Sequence, residues 1–506
     1  MSFIEFGERY SEPLSAVRSQ QRDGEDVYVV GGAVRDAILG QETHDIDFAV
    51  RGNARRLARR VADVLCAVYV EMDDEHDIGR VILDDQSLDR FILDFAALRA
   101  DDLEGDLLGR DFKINAMALD VKELGKLIDP LGGIVDLQQK VISACSPTSI
   151  TDDPIRVLRA IRLAIGLNFK IEPGTLQQIR LAVSSLPRIS NERQRDELFR
   201  ILEGPRPDTA LKLLDAIGCL EVVLPEIAPL KGFHQSEPHI FDVWEHTLAT
   251  VQKLDSIYAA LVEPFDERLV SNLTLGTLVL KLGPYRQRLA DFYSQRLVLE
   301  RNLKPLLMLA AIYHDSGKPN TLILAENGKT HFFGHESVGR EKATLRGQTL
   351  ALSNAEIQRI DTIIQSHMRI HFLARDKPDV DKRSIFRFFR KTGSAGIDVC
   401  LLSLADILAT FGPSIPQDKW LKEVDAVQRL FEGWFDQPEK VIKPVRLITG
   451  HDIQADFHLS PGPLIGQLLE FVQEAQVVGE VTDRQQALEW VGDWLKKNLQ
   501  NPGGFE

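Results

Sequence analysis

Hydrophobic periodicity changes once along this chain, and that change limits the folds open to it. Before about residue 140 the apolar runs are short: Val27 to Val30, Ile46 to Val50, Ala67 to Glu71, Arg80 to Leu83 and Phe91 to Phe95. Each has strand length. The first ends on Gly31-Gly32 ahead of AVRDAIL, whose apolar spacing is helical. From Asp152 onward the spacing is that of helices, through IRVLRAIRLAIGL, ERQRDELFRIL and TALKLLDAIGCLEVV. The expectation is an α+β architecture, a small mixed-sheet head followed by an all-α remainder.

A chain of 506 residues is too long for one small core and implies several domains. A loop rich in Pro, Gly and His runs from Pro225 to Pro238, and a second helical segment continues to Phe411 before Gly412-Pro413. The last part contains further helices and a turn at Ser460-Pro461-Gly462-Pro463. These breaks divide the chain into 1–140, 141–230, 231–412 and 413–506.

Sixty Lys and Arg against 75 Asp and Glu leave a net charge of −15, which argues against nucleic-acid binding over the whole surface. Any such site is local, and Arg51 to Arg60 and Lys382 to Lys391 are the two basic runs able to supply one. The longest apolar stretch, Leu306 to Tyr313, falls short of the roughly 20 residues a membrane span needs. The N-terminus has acidic residues and no basic region ahead of an apolar core, which argues against secretion and places the chain in the cytoplasm. Cys66, Cys145, Cys219 and Cys400 are scattered, the pattern of reduced thiols without a metal or disulfide role.

The segment VVGGAVRDAILGQETHDIDFAV sets two glycines at a strand-to-helix turn and puts Asp45 and Asp47 two residues apart on the next strand. At a period of two, both carboxylates face one side. Co-facial carboxylates are hard ligands for a divalent cation, and backbone N–H groups of a Gly31-Gly32 turn can approach phosphate. Metal-assisted phosphoryl transfer uses these parts.

In order and wording, GGAVRD, DIDF, RDFKINAMA, DPLGGIVDL, DDPIRVLRAIR and ERQRDEL resemble the motif series of the class II tRNA nucleotidyltransferase and bacterial poly(A) polymerase family. The resemblance covers about the first 220 residues. It implies that Asp45 and Asp47 hold catalytic magnesium, with Asp94 as a third acid. It also implies that Gly32 and Arg35 contact triphosphate and that Arg110 and Asp111 fix ribose and phosphates. Asp153 and Arg156 would then read the base edge, with Arg159 and Arg162 alongside. Spaced i, i+3, these last four form a stripe on one helix face, and an Asp/Arg pair has the donors and acceptors to read a base edge. Three positions depart from the family pattern: Gly109 replaces a usual arginine, Lys113 a threonine and Asp152 a glutamate.

A second constellation lies in GFHQSEPHIFDVWEHTL, LAAIYHDSGKPNT, HFFGHESVGRE, SHMRIHFL and LSLADILAT. A buried His-Asp pair needs a partner or a metal. His246, His314, Asp315 and Asp406 supply imidazole and carboxylate from separate helices, a shell suited to a divalent transition metal that activates water at phosphorus. The order of these residues resembles the HD-domain phosphohydrolases, which implies a second metal position at His335 and His367 and a phosphate contact for Lys318. Both halves together, with the C-terminal tail, resemble long bacterial tRNA nucleotidyltransferases that carry an HD domain.

The function expected is addition of CMP, AMP or both (CCA, CC or A) from CTP and ATP to the 3′ end of tRNA or another RNA by two-metal phosphoryl transfer, with no membrane partner. The HD segment would act as a phosphatase or cyclic phosphodiesterase. In the rival expectation only the HD segment is active and the head serves to bind RNA.

Overall fold

The computed structural model describes residues 3–73, 77–84, 90–264, 273–298, 301–376 and 379–499. The chain packs as two compact units, one of residues 1–198 with 213–223 and the other of 199–212 with 224–506.

The first unit is built on seven described strands: β1 (Asp26–Val30), β2 (Asp45–Arg51), β3 (Val68–Asp73), β4 (Ile78–Asp84), β5 (Arg90–Ala97), β6 (Ala118–Asp120) and β7 (Leu127–Ile128). Their order is β3-β4-β5-β2-β1-β6-β7; β2 and β5 run parallel and the other neighbours antiparallel. The five expected strands are present. The short β6 and β7 carry too few residues to show a period.

Alternation along β2 is strict at its start, Asp45 and Asp47 exposed, Ile46 and Phe48 buried. Phe48 stacks on Phe95 of β5 with centroids 4.7 Å apart. Burying one such ring stabilises the fold by roughly 1.5–3 kcal/mol. The helix Ala54–Val64 buries Leu57, Ala58 and Val61 and packs on β4 and β5. Its basic run is drawn into local ion pairs: Arg55 with Asp77 at 2.9 Å and with Glu71, Arg60 with Glu25 at 2.7 Å, and Arg51 with Asp26 at 3.6 Å. Arg56 and Arg59 of the run stay exposed, Arg59 beside the Tyr69 ring at 5.7 Å.

The second unit is helical apart from a two-stranded hairpin, Ile323–Leu324 with Thr330–His331. The helix Leu303–Tyr313 is buried along its whole length, and Gly396–Phe411 is buried from Gly396 to Ala409. The stretch Lys382–Ser414 is long and apolar enough to cross a membrane by composition, with hydropathy 1.7. Of its apolar 18-residue window 83% is buried inside the protein, and the stretch turns at Gly393–Ala395, as a core helix pair does. Its basic half, Lys382–Thr392, packs on Pro463–Val478, where Arg387 meets Glu474 at 2.8 Å, Arg383 Glu480 at 2.7 Å and Arg390 Glu470 at 3.5 Å. The second basic run thus faces acids of its own chain.

Candidate active sites

Sheet register sets the first site. Arg80 of β4 pairs with Asp94 of β5, and Asp94 with Asp47 of β2, so the three lie in one row across the sheet. Asp45 stands two residues before Asp47 on the same face, opposite Phe48 and Phe95. Val30, the last residue of β1, pairs with Asp47, and the chain then turns at Gly31. Gly31 has φ +76, and a Cβ there would lie 3.0 Å from Asp47 Oδ2, so glycine is required twice over. The helix Gly32–Leu39 starts at this turn, close to the carboxylates.

Asp47 reaches solvent along one side and is crowded by protein on the others. That partial burial first, then the charges of Asp94 and Asp45, push its carboxyl up to about 6, while Arg110 and Arg159 pull against them. A carboxylate crowded by other carboxylates in this way marks a natural cation site. Asp94 is held by a bidentate ion pair from Arg80, at 2.8 and 2.9 Å.

Beside the row runs a chain of buried polar groups. Arg35 forks onto its neighbour Asp36 at 2.8 and 3.0 Å and donates to Asn115 Oδ1 at 2.7 Å. Asn115 in turn donates to Asp111 at 3.1 Å, as does Arg159 at 3.2 Å. Burial alone would raise the Asp111 carboxyl; Arg159, the Phe112 N–H and Asn115 hold it below its usual value. Arg110 pairs with Asp106 at 3.0 Å, and Arg162 with Glu197 at 2.8 Å.

Asp153 departs from the expected stripe, whereas Arg156 heads the helix that carries Arg159 and Arg162. The helix starts at Arg156 and runs to Leu167, while Asp153 is extended, with φ −137 and ψ 92. Pro154 is the cause, since a residue before proline is kept out of the helical region. Asp153 pairs with Arg193 at 2.8 Å. Arg156 donates to the carbonyls of Arg110, Ser149 and Gly109 at 3.1, 3.1 and 2.9 Å and to Ser149 Oγ at 2.7 Å, so it clamps the loop carrying Arg110 and Asp111. Arg193, Glu197, Asn115, Asp106 and Arg80 were not legible as partners. Only the ERQRDEL motif hinted at the first two.

In the second unit the six expected groups converge. His246 Nε2 lies 3.0 Å from Asp406 Oδ1 and 3.4 Å from Asp315 Oδ2, and His314 Nε2 lies 3.3 Å from Asp315 Oδ2. On the other oxygen, Asp315 Oδ1 is 3.3 Å from His335 Nε2 and 4.0 Å from His367 Nε2. Asp315 therefore stands between two histidine pairs. Gly317 makes this approach possible, because a Cβ there would lie 2.1 Å from the His335 carbonyl oxygen.

His314, His335 and His367 each place Nδ1 2.7 Å from a backbone carbonyl, of Ala311, Phe332 and Ile364. A carbonyl only accepts, so Nδ1 carries the hydrogen and Nε2 keeps its lone pair, the arrangement of metal-binding histidines. Two such nitrogens meet at 3.2 Å between His335 and His367, while His246 Nε2, which faces the Asp406 carboxylate, lies 3.4 Å from His314 Nε2. Facing lone pairs at that distance repel unless a proton or cation lies between. Burial and the neighbouring His335 and His314 push His367 down to about 3. Asp315 is held well below the carboxylate range, burial opposing and Lys318, His314 and His335 prevailing.

Lys318 lies 2.6 Å from Asp315 Oδ2 and donates to Gln235 at 2.8 Å. Sequence reasoning passed over His371, which sits 2.9 Å from Asp406 Oδ2 and 2.9 Å from Glu423 Oε1. Its i+4 spacing from His367 was the available signal.

A mixed sheet presenting a carboxylate row beside a glycine turn, with helices following in sequence, defines a nucleotidyltransferase. Residues 27–143 match the poly A polymerase head domain, 168–231 the probable RNA and SrmB-binding site of polymerase A, and 427–491 the putative tRNA nucleotidyltransferase domain 2. The chain is 31% identical to an A-adding tRNA nucleotidyltransferase of Deinococcus radiodurans, over 93% of this chain and 95% of the relative. It is 28% identical to a CC-adding tRNA nucleotidyltransferase of Thermus thermophilus, over 93% and 94%. A solved CCA-adding enzyme in complex with ATP shares the fold, with TM-score 0.58 at 21% identity over 96% of each chain. The chain belongs to the tRNA nucleotidyltransferase family.

Proposed function

We propose that this chain extends the 3′ end of tRNA with CMP, AMP or both, taken from CTP and ATP. The observation that carries the reading is the Asp45, Asp47 and Asp94 row beside Gly31. Relatives named A-adding and CC-adding support it, as do the solved CCA-adding enzymes in complex with ATP, with CTP and, from Thermotoga maritima, with tRNA.

In the reaction the RNA 3′-oxygen bonds to the α-phosphorus as the α–β bridge breaks, and pyrophosphate leaves with the charge. Magnesium on Asp45 and Asp47 would supply the positive charge that sharpens the nucleophile and steadies the leaving group. The raised Asp47 carboxyl, crowded by Asp94 and Asp45, fits such a cation. Arg110 lies within the field of Asp47 and would contact the nucleotide there, and Arg156 acts by clamping the Gly109–Asp111 loop. Asp153, now paired with Arg193, would exchange that partner for a base. The test is incubation with magnesium and labelled CTP or ATP on tRNA transcripts ending before CCA, after C and after CC. Incorporation on one of these ends supports the reading, and the end accepted names the activity; none on any end contradicts it.

For residues 231–412 we infer a metal-dependent HD phosphohydrolase, on the convergence of His246, His314, Asp315, His335, His367 and Asp406. These six groups would hold metal, which would supply the charge that makes water acidic enough to attack a phosphate ester; hydrolysis consumes that water and yields phosphate and an alcohol. Residues 1–140 would be the catalytic head, 141–230 the nucleotide- and RNA-binding body and 413–506 the tail, all acting in the cytoplasm. The rival in which the head only binds RNA gains nothing from a carboxylate row that is complete.

A further inference from the structure

Above Asp315 the second unit opens into a cavity of about 630 Å3. Three cation–ring pairs line it: Lys318 over Phe332 at 5.6 Å, Arg375 by Phe372 at 5.1 Å and Lys419 by Phe411 at 4.6 Å. On the same wall Phe333 is 74% exposed. The His331 ring runs parallel to it, with centroids 5.6 Å apart and planes within 5°.

A single exposed phenylalanine is ordinary on any protein. Two parallel rings beside three cation–ring pairs, above a floor built of histidine and carboxylate, are a different matter. A simple phosphate ester needs only the floor. Interleaved rings and cations suit a ligand that is flat and aromatic at one end and anionic at the other, as nucleic-acid sites show. The volume is that of a small-ligand site and accommodates a nucleotide.

We propose that this cavity binds a nucleotide carrying a terminal phosphate, its base stacked on the His331–Phe333 pair and its phosphate over Asp315 and Lys318. The proposal rests on the phosphohydrolase reading for what happens to the phosphate, but not for the stacking.

The test uses the full chain with manganese and three probes: a trinucleotide ending in 2-aminopurine riboside 3′-phosphate, that mononucleotide alone, and glycerol 2-phosphate. Binding is read as quenching of 2-aminopurine and turnover as phosphate release. Phe333→Ala and His331→Ala should weaken binding by on the order of 10- to 100-fold, Phe333→Tyr should restore it, and glycerol phosphate turnover should stay unchanged. Both side chains are exposed, so truncation leaves the core intact. Tighter binding of the trinucleotide assigns an RNA end, and equal binding a free nucleotide. Turnover of glycerol phosphate with no effect of either substitution overturns the shelf and leaves the phosphohydrolase. Shelf-dependent quenching with no turnover of any probe does the reverse.

Discussion

The Arg156 guanidinium donates to three carbonyls and one hydroxyl, so its first effect falls on the loop that carries Arg110 and Asp111. Lysine keeps the charge but cannot bridge these acceptors. Arg156→Lys should therefore raise KM for nucleotide by ~10-fold or more, the order expected for charged hydrogen bonds of about 1.5–3 kcal/mol, as steady-state kinetics would show. Gly109 has ordinary helical angles, φ −73 and ψ −8, and a Cβ there would make only van der Waals contact, 3.5 and 3.6 Å from the carbonyl oxygens of Asp106 and Gly105. Gly109→Arg should fold with a change within about 0.5 kcal/mol, measured by urea unfolding. Glu226 accepts from Tyr313 and Arg346 at 2.7 Å each. Burial would raise its carboxyl, but Arg346 and Tyr313 hold it below the usual value. Its contribution to stability is complete above the unfolded pKa of about 4.3 and is lost as pH falls through the lower folded value. Stability curves of Glu226→Gln and the parent should differ at pH 7 and converge in acid; a constant gap would sink the assignment. At this scale Asp45 and Asp47 were legible because strand period alone aligns them. The partners of Asp94 and Asp153 were not, because Arg80 and Arg193 arrive from other elements, and neither was Asn115 as the donor to Asp111.

Elements carry the lesson of punctuation. The stripe from Asp153 to Arg162 assumed one helix, and Pro154 broke it, a local signal that was present in the sequence. The basic run Lys382–Lys391 read as a solvated or RNA-facing surface because its acidic complement lies some 90 residues on, in the helix Pro463–Val478. Glu474 serves both Arg387 and Arg383, and its own side chain is mostly buried. Glu474→Ala should lower stability by about 1 kcal/mol, toward the upper end for surface pairs, and Glu474→Lys by more. Combining Glu474→Lys with Arg387→Glu should recover part of that loss in thermal unfolding. No recovery would mean that packing, not charge, joins the two helices.

For the whole molecule the account assigns two chemistries to separate sets of acids, and periodicity alone announced the division between sheet-bearing head and helical remainder. Convergence of six His and Asp side chains from five helical segments was legible only through motif order, because spacing along the chain says nothing about which helices meet. Asp315→Ala should abolish phosphate release and leave nucleotide incorporation within about twofold of the parent, sites that share no residues acting independently. The central claim concerns the row on β2 and β5, and one measurement tests it most directly: single-turnover incorporation of labelled nucleotide into tRNA by the parent and by Asp45→Ala with Asp47→Ala. The account predicts incorporation by the parent and a loss of at least about 100-fold in the double variant, the scale on which transition-state charge stabilisation fails. Equal incorporation by both proteins would contradict it.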